Sequence, residues 1–400
     1  MQVTIPVSKG SQILFEGNWY AMGKPIEVDF STAMRMRQTL HAIVPYQKHP
    51  YDPAVWRDTK NAALVADINT KSGWGNVGLN LIRYSAFAKF SLIGRTYDVR
   101  DPYVSAAGTR PINPFGAAIW HDQPKAEWLL SPFSRNVAIV PFETTLVPAS
   151  WVPRINSFDA LLVPCAQNKQ MMIDSGVTIP VDVIHWGVDT DKFHEIKRRP
   201  SNVFTFGHMG ALSKRKGTDI LIKAFERAFP TETDVRLICK TSNMQYNFMS
   251  KDKRIEVQMG PVSHDELMNA FFSRTDCFVF PTLGEGFGLP PLEAMATGIP
   301  AIVTGWSGPE EYMNDEIGWK IQYTMDEARE FSDPRIGVYR EDCGQWAVPS
   351  MDHLVYLLRY AYEHQDEVRA KGKAAAAYVR ENWTWPHQIG LFEAALNKYL

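Results

Sequence analysis

Residues 276–305 read DCFVFPTLGEGFGLPPLEAMATGIPAIVTG and contain the pattern that decides the fold. A short apolar strand leads into a glycine-rich loop, then into a helix that opens on prolines and closes on Gly298, and then into a second apolar strand. Strands that alternate with helices in this way predict a parallel sheet covered by helices. Glu285 lies in the loop, and Glu293 lies in the predicted first turn of the helix. Because open α/β sheets bind ligands at the carboxyl ends of their strands, both glutamates are candidate ligand contacts.

The loop and the helix start are suited to a phosphorylated ligand that also carries hydroxyl groups. We predict that the amides of Phe287, Gly288 and Leu289 bind phosphate oxygens, because a helix start has unpaired N–H groups and the positive end of the helix dipole. Gly286 and Gly288 would let the backbone approach the ligand closely. Carboxylates are poor phosphate ligands but accept hydrogen bonds from hydroxyls, so a sugar nucleotide fits both parts. The alternative is that Glu293 only stabilises the helix dipole.

Strands and helices also alternate through most of the remaining chain. From residue 61 the alternation continues until a polar stretch at 190–202, TDKFHEIKRRPSN, and it restarts afterwards with NVFTFGHMG. We therefore predict an α/β fold of two Rossmann-like, doubly wound halves that face a ligand cleft, with the polar stretch as linker. At 400 residues the chain is long enough for two such cores.

Two helices illustrate how well the helix ends can be predicted. Ser263 and Glu266 stand in the capping-box arrangement, which specifies the start of a helix over SHDELMNAFFSR. A second helix is predicted over NVGLNLIRYSAFAKF, residues 76–90, from its apolar spacing alone.

The first 60 residues differ from the rest and predict a small β-rich extension. VTIPV, SQILFEGNWYAMG and PIEVDF are typical of short strands, and STAMRMRQTLHAI is typical of a helix with Ser31 as its N-cap. Basic residues mixed with aromatic ones leave open a contact with a polymer acceptor, including nucleic acid. These basic residues are Lys9, Lys24, Arg35, Arg37, Lys48, Arg57 and Lys60. An appendage for folding or oligomerisation is the alternative that we favour.

Composition excludes few classes of protein. The formal net charge of −2 gives no overall preference for nucleic acid or acidic membranes. The four cysteines are widely spaced and have no Cys-x-x-Cys pairing, which predicts buried free thiols and argues against a disulfide or a zinc site. The N-terminus has no leader pattern and no apolar run reaches about 18 residues, so we expect a cytoplasmic protein with no transmembrane segment. The oligomeric state is left open.

A basic loop, GALSKRKGTD at 210–219, follows the first predicted strand of the second half. Lys216 and Arg215 are candidates for binding a diphosphate, because cations stabilise phosphate oxygens. The alternative is a loop of solvated lysines.

The run from Asp276 through WSGPEEYM at 306–313 resembles the glutamate, seven residues, glutamate signature of the retaining GT-B glycosyltransferases of group 1. The resemblance implies a GT-B fold and an enzyme that transfers a sugar. It implies that Glu285 is catalytic and contacts hydroxyls of the transferred sugar, whereas Glu293 contacts the ribose of the nucleotide.

The basic loop is similar to the diphosphate loop of the same family, with one departure. Many members have an arginine where this chain has Ala211, whereas Lys216 and Gly217 match the family pattern. The resemblance implies that Lys216 is catalytic, with Arg215 supplying the second charge.

Two segments before residue 125 are also similar to the family. Val262 is added to the predicted site only because of its place in the chain. SGWGNVG at 72–78 is similar to the loop that faces the donor phosphates, and WHDQP is similar to a strand end beside the sugar. The residues added to the predicted site are His121 as a catalytic residue and Gly73, Trp74, Gly75 and Val262 as donor contacts. The alternatives are a packed core tryptophan at 74 and a hydrogen-bonded strand-end histidine at 121.

The resemblance covers about residues 61–395 and implies four parts. These are the extension over 1–60, an acceptor domain over 61–195, a nucleotide-sugar domain over 196–375, and a C-terminal helix over 376–400 that crosses back to the acceptor domain.

Sugar transfer requires positive charge around the diphosphate of the donor. Negative charge develops on the leaving phosphate, so catalysis needs cations and N–H donors around the diphosphate. Because the chain itself supplies them, we expect no metal and no other cofactor, and we identify no Asp-x-Asp motif of the kind that metal-dependent transferases use. The expected donor is UDP-glucose, with GDP-mannose second, and the acceptor is a hydroxyl of unknown class. The alternatives are a GT-B sugar-nucleotide epimerase and a non-catalytic nucleotide-sugar binding protein.

Overall fold

The computed structural model describes most of the chain. The described residues are 2–5, 12–16, 18–22, 25–40, 61–69, 72–85, 89–97, 100–113, 115–198, 201–211, 213–241, 250–260, 262–335 and 337–400. Much of the predicted extension therefore lies outside the described residues, and so do five of its basic residues. These five are Lys9, Lys24, Lys48, Arg57 and Lys60.

The described residues of the N-terminal part form short antiparallel strands and a helix, as the sequence predicts. Its elements are β1 (Gln2–Thr4), β2 (Gln12–Phe15), β3 (Asn18–Ala21), β4 (Pro25–Glu27) and α1 (Phe30–Leu40). The pairs are β1 with β4 and β2 with β3.

The prediction that Ser31 caps α1 is wrong. The cap is Asp29, whose carboxylate accepts hydrogen bonds from the Thr32 amide at 3.1 Å and the Thr32 hydroxyl at 2.6 Å. Ser31 lies inside the helix, and its Oγ accepts a hydrogen bond from the Ile112 amide at 2.7 Å. Arg35 donates to the Arg110 carbonyl at 2.7 Å. These two contacts attach α1 to the first half of the molecule.

The first half is built on a parallel sheet in the order β12-β11-β10-β9-β5-β7. Its elements, with two short strands beside the sheet, are β5 (Asn61–Val65), β6 (Ile68–Asn69), α2 (Gly73–Tyr84), β7 (Lys89–Ile93), β8 (Thr96–Tyr97), α3 (Pro102–Thr109), β9 (Ala117–Trp120), β10 (Arg135–Ile139), α4 (Val152–Asn156), β11 (Ala160–Val163), α5 (Ala166–Asp174) and β12 (Val181–Val183). Segments Ala126–Leu130 and Ala149–Trp151 form 3₁₀ turns. Burial of nearly every residue in the central strands explains why they read as continuous apolar runs.

The second half repeats this plan with the parallel order β15-β14-β13-β16-β17-β18. Its elements are β13 (Phe204–Met209), α6 (Thr218–Ala228), β14 (Val235–Thr241), β15 (Ile255–Met259), α7 (His264–Glu266), β16 (Cys277–Phe280), α8 (Leu289–Ala296), β17 (Ala301–Thr304) and β18 (Gly318–Ile321). Helix α7 continues as a π-helical segment, Leu267–Phe271, and a 3₁₀ turn, Phe272–Arg274; another 3₁₀ turn is Gly308–Glu311. The predicted capping box is confirmed, with the Glu266 amide 3.2 Å from Ser263 Oγ and the Ser263 amide 2.8 Å from the Glu266 carboxylate.

The remaining elements follow β18, and the last of them reaches the first half. They are β19 (Tyr323–Glu327), α9 (Arg329–Ser332), β20 (Gln345–Pro349), α10 (Met351–Glu363), α11 (Gln365–Asn382) and α12 (Trp385–Tyr399). Helix α12 packs against α2 of the first half. At its end Lys398 and Tyr399 donate to the Asp182 carboxylate at 2.8 and 2.6 Å. The C-terminal helix therefore returns to the first sheet.

The prediction of two Rossmann-like α/β halves is confirmed by the two parallel six-stranded sheets. One helix prediction is wrong in length: α2 ends at Tyr84, and Lys89–Ile93 is the edge strand β7. The apolar spacing of KFSLI does not distinguish a buried strand from a buried helix, and pairing with β5 decides the outcome. Strands β15, β18, β19 and β20 are also absent from the sequence prediction.

The predictions for cysteines and membrane spans can be compared with the described residues. All four cysteines are described, and each is buried and free. Among the described helices, none has both the length and the apolar character that a membrane crossing requires.

Gly217, at the start of α6, holds the basic loop in a conformation that favours glycine. Its φ is +67°, and a Cβ built there would lie 2.0 Å from the Pro281 carbonyl oxygen. We expect Gly217→Ala to lower the free energy of unfolding by roughly 3 kcal/mol, because a left-handed backbone and a backbone clash coincide. Chemical denaturation measures this, with Gly108→Ala as control because a Cβ at Gly108 meets nothing within 4 Å. Equal losses in both variants would contradict the assignment.

Candidate functional site

Two cations and two carboxylates meet between the halves at the carboxyl edge of the second sheet. Lys216 Nζ donates to Glu285 Oε1 at 2.6 Å, and Arg215 Nη1 donates to the same oxygen at 3.2 Å. Arg215 Nη2 also lies 3.6 Å from Glu143 Oε1. The four side chains are between 9% and 23% exposed. We call Glu143, Arg215, Lys216 and Glu285 the charge cluster.

The order of strands in the second sheet explains why these residues meet. Strands β13 and β16 are parallel neighbours, so the loops that follow them leave the same edge of the sheet. The loop after β13 carries Arg215 and Lys216, and the loop after β16 carries Glu285. The Leu283 amide donates to the Arg215 carbonyl at 2.7 Å and joins the two loops. The structure therefore brings together three of the predicted site residues, whose individual roles stay predictions.

Glu143, the fourth member of the charge cluster, was not singled out in the sequence. It follows strand β10 of the first half, within PFETTLVPASW at 141–151. The signal that could have found it is its place just beyond the carboxyl end of a buried strand, where ligand contacts concentrate. Its partner could not be read from the sequence, because Arg215 belongs to the other half.

Burial and charge act against each other within the charge cluster. Burial raises the pKa of Glu143, and the positive charge of Arg215 opposes that effect. Burial also lowers the pKa of Lys216, against the opposing charge of Glu285. For Arg215, burial alone would lower the pKa, but Glu143 and Glu285 more than compensate and the net shift is upward. Each ion therefore depends on its partners for its charge.

The three glycines of GEGFG lie in different surroundings. A Cβ on Gly284 would lie 1.8 Å from the Glu143 carbonyl oxygen, and one on Gly286 would lie 2.5 Å from Pro141 Cβ. These two glycines therefore make room for the chain of the first half, and the prediction that Gly286 also lets a ligand approach stays a prediction. Gly288 has a φ of +87° and precedes α8 as its N-cap, and the Tyr312 hydroxyl donates to its carbonyl at 2.7 Å.

The backbone N–H groups at the start of α8 are the predicted phosphate contacts, and this role stays a prediction. The N–H groups of Phe287, Gly288 and Leu289 donate to no other group among the described residues. The Phe287 side chain points into the core and contacts Trp186 with ring centroids 5.7 Å apart. The backbone of these residues, and not their side chains, is the part suited to phosphate.

Glu293 lies further along α8 than predicted, at the fifth residue and not in the first turn. Within the described residues its carboxylate forms no hydrogen bond or ion pair. Burial raises its pKa from 4.5 to about 7, and Lys192 opposes this shift. A partly buried carboxylate without a partner is unfavourable for folding, which is typical of a residue kept for a ligand.

Glu293→Gln is expected to stabilise the protein at alkaline pH. The native protein binds one proton more than the unfolded chain between pH 4.5 and about 7, so its stability falls as pH rises through that range. At about 1.4 kcal/mol per pKa unit, the gain from Glu293→Gln is about 3 kcal/mol at pH 8 and close to zero at pH 4.5. Denaturant unfolding at both values tests this. A gain that is the same at both would contradict the assignment.

The predicted residues of the first half form a separate aromatic group. His121 Nε2 donates to the Trp74 carbonyl at 3.0 Å, and the two rings stack with centroids 4.8 Å apart. Burial lowers the pKa of His121 to about 4, so the ring is neutral near pH 7. Trp186 connects this group to the second half, because it contacts both His121 and Phe287 with centroids 6.3 and 5.7 Å apart.

The predicted glycine loop at 72–78 is the capped start of α2. Ser72 Oγ accepts a hydrogen bond from the Gly75 amide at 3.1 Å, so that amide is already used. A Cβ at Gly75 would lie 2.3 Å from the Asn69 side chain, whereas one at Gly73 would meet nothing within 4 Å. Gly75 therefore serves packing, and Gly73 is open at the surface.

Val262 is the last of the predicted positions, and His208 and His185 are two further histidines whose surroundings the structure describes. Val262 is 43% exposed, and its role as a donor contact stays a prediction. His208 is fully buried between the Val279 carbonyl at 2.9 Å and the Thr218 hydroxyl at 3.0 Å. His185 bonds to the Pro164 carbonyl at 3.0 Å. Both histidines have structural partners.

The expectation that the sequence lacks an Asp-x-Asp motif is wrong. Residues 189–191 do read Asp-Thr-Asp. Asp189 is 3.5 Å from Arg83 and 3.4 Å from Lys192, so this carboxylate is held in ion pairs. Within the described residues, no group of three or more His, Cys, Asp or Glu side chains is arranged to hold a metal ion.

Residues 189–330 match the family model of glycosyl transferases group 1. The match confirms the family resemblance for that segment, which contains Arg215, Lys216, Glu285 and Glu293. Glu143 and His121 lie outside it.

Relatives of similar sequence support the same family. The chain is 26% identical over 162 residues to the capsular polysaccharide biosynthesis glycosyltransferase CapM of Staphylococcus aureus, covering 39% of this chain and 43% of CapM. It is 25% identical over 206 residues to the GDP-mannose-dependent alpha-mannosyltransferase of Corynebacterium glutamicum, covering 48% of this chain and 47% of that protein. The chain spans about half the length of the relatives that it matches.

Solved structures extend the likeness to nearly the whole fold. Anabaena HepE, solved with UDP and glucose, has a TM-score of 0.61 at 14% identity, covering 84% of this chain and 99% of HepE. Sucrose-phosphate synthase from Thermosynechococcus elongatus also has a TM-score of 0.61 at 14% identity, covering 84% of this chain and 98% of that protein. The predicted GT-B fold is confirmed by these likenesses.

Proposed function

We propose that this protein is a retaining, metal-independent glycosyltransferase that moves a hexose from a nucleotide sugar to a hydroxyl group. The observation that carries the proposal is the contact of Lys216 and Arg215 with Glu285, at the sheet edge where α8 begins. Cations, free helix N–H groups and a carboxylate are the groups that a diphosphate linked to a sugar requires. The family match over residues 189–330 supports the reading.

The proposed reaction breaks the bond between the anomeric carbon and the diphosphate oxygen. The acceptor oxygen forms its bond to the anomeric carbon on the same face, and the acceptor proton passes to the leaving phosphate. Lys216 and Arg215, with the N–H groups at 287–289, would stabilise the negative charge that develops on that phosphate. These donors are the reason for proposing that no metal ion is needed.

The two glutamates would bind the hydroxyls on either side of the diphosphate. Glu285 is held by Lys216 and would orient the transferred sugar, with His121 of the first half beside it. Glu293 has no partner within the described residues and would accept hydrogen bonds from the ribose. Ribose binding favours ionised Glu293, so we propose that nucleotide binding releases a proton near pH 7.

UDP-glucose is the proposed donor, and GDP-mannose is the second choice. The UDP and glucose bound to HepE favour the first, and the GDP-mannose dependence of the Corynebacterium relative favours the second. A glycan hydroxyl is the proposed acceptor. Nucleic acid as acceptor depends on residues 1–60, and Arg35 is already engaged with the Arg110 carbonyl.

A donor screen with candidate acceptors tests the proposal. Thermal shift with UDP-glucose, GDP-mannose and other nucleotide sugars identifies the donor, and nucleotide release with mass spectrometry of acceptors measures transfer. Transfer with a retained anomeric configuration in the presence of EDTA is expected. Donor turnover without an acceptor would indicate an epimerase, and binding without turnover would indicate a nucleotide-sugar binding protein.

A further inference from the structure

Glu143 takes part in the charge cluster although it comes from the opposite half of the molecule. Its Oε1 lies 3.6 Å from Arg215 Nη2, and its main-chain oxygen abuts Gly284, where no Cβ could fit. The same segment is fixed on the second half by the hydrogen bond from the Thr145 amide to the Gln345 carbonyl at 2.9 Å. Glu143 is thus held at the cations by contacts on both sides.

The charges of the cluster are balanced without any ligand. Two cations face two carboxylates, and each carboxylate lies beside at least one cation. A diphosphate brings further negative charge to the same cations. In a partly buried site, adding that charge beside an ionised Glu143 is unfavourable, because like charges a few ångströms apart repel strongly at low dielectric.

We propose that Glu143 is an internal anion that competes with the donor diphosphate for Arg215 and thereby sets the affinity of the site. The inference rests on the proposed function, because it takes Arg215 and Lys216 as the diphosphate site. When a diphosphate takes Arg215, Glu143 loses its cation and lies beside a new anion. Its carboxyl then takes up a proton.

The surroundings of Glu143 determine how this competition depends on pH. The charged and titratable groups around it and around Arg215 are Lys216, Glu285, Glu330, Tyr339 and Cys343. Burial raises the pKas of Tyr339 and Cys343, so both stay neutral below pH 8. Diphosphate binding raises the pKa of Glu143 further, so affinity falls as pH rises and more of Glu143 is ionised.

Glu143→Gln tests the inference in the full-length protein. With inorganic pyrophosphate and with UDP as probes, the variant is expected to bind about tenfold more tightly than the native protein at pH 8, since one pKa unit corresponds to about a tenfold change. The ratio of the two affinities should shrink as the pH is lowered and Glu143 takes up a proton, and comparing proteins at each pH cancels the ionisation of the probe. Equal or weaker binding by Glu143→Gln at pH 8 would overturn the inference.

Glu341→Gln is the matched control, because Glu341 also joins the halves without touching the cations. Its carboxylate accepts from the Ser150 amide at 2.8 Å and the Ser150 hydroxyl at 2.5 Å. This variant should bind pyrophosphate with an affinity within about twofold of the native protein. An equal gain in both variants would show that the effect comes from a weaker contact between the two halves, and it would overturn the inference.

A measurement on the native protein covers the case in which Glu143→Gln does not fold. The measurement is calorimetric titration with pyrophosphate at pH 8 in two buffers of different ionisation enthalpy, which gives the number of protons taken up on binding. We expect more proton uptake than the ionisation of pyrophosphate itself explains. Proton release would contradict the inference. Because pyrophosphate contains neither base nor sugar, a Glu143 effect without transfer from any nucleotide sugar would overturn the proposed function alone. Transfer without a Glu143 effect would overturn the inference alone.

Discussion

Lys216→Ala is expected to reduce sugar transfer by about two to three orders of magnitude, the usual cost of removing one donor from a developing oxyanion. Lys216 Nζ contacts Glu285 at 2.6 Å and is 13% exposed, so water replaces it poorly. The effect should fall mainly on kcat, because the charge on the leaving phosphate is greatest in the transition state. Initial rates with saturating UDP-glucose and acceptor measure it.

The neighbouring Lys214 provides a control in the same loop. It is exposed, so Lys214→Ala should leave the rate within about twofold. Because Lys216→Ala leaves buried Glu285 without its nearest cation, thermal unfolding of both variants must accompany the kinetics. An alanine variant that is folded and fully active would move the phosphate role away from Lys216.

The features that the sequence predicts well are those determined over short distances along the chain. Strand β16, the glycine turn and helix α8 follow from an apolar run, a break and an apolar helix with Gly298 at its end. The neighbouring order of β13 and β16 is typical of doubly wound sheets, so Lys216 and Glu285 could be expected on one edge.

The features that the sequence does not predict depend on how the halves meet. In the sequence, Gly286 resembles a glycine that admits a ligand, but the absent side chains of Gly284 and Gly286 make room for residues 141–143 of the first half. In the sequence, Glu143 is one of many polar residues that follow a strand. Only the structure shows that Arg215 lies beside it. Local sequence patterns contain no information about contacts between residues so distant in the chain. The contact between Glu143 and Arg215 is of this kind.

The two glutamates of GEGFGLPPLE should separate catalysis from binding. Glu285→Gln is expected to lower kcat for transfer by about a hundredfold, because Lys216 loses the charge that positions it and the sugar loses a strong hydrogen-bond acceptor. UDP affinity, measured by calorimetry, should not fall, since UDP carries no transferred sugar and the loss of a negative charge beside Lys216 and Arg215 favours a diphosphate. Glu293→Gln should show the reverse, weaker UDP binding with kcat largely kept, because its carboxylate is proposed to bind the ribose. Glu310→Gln is the control, because Glu310 is exposed and pairs with Lys320 at 2.8 Å. If Glu285→Gln and Glu293→Gln alter the same parameter to the same extent, the carboxylates do not lie on opposite sides of the diphosphate and the division of roles is wrong.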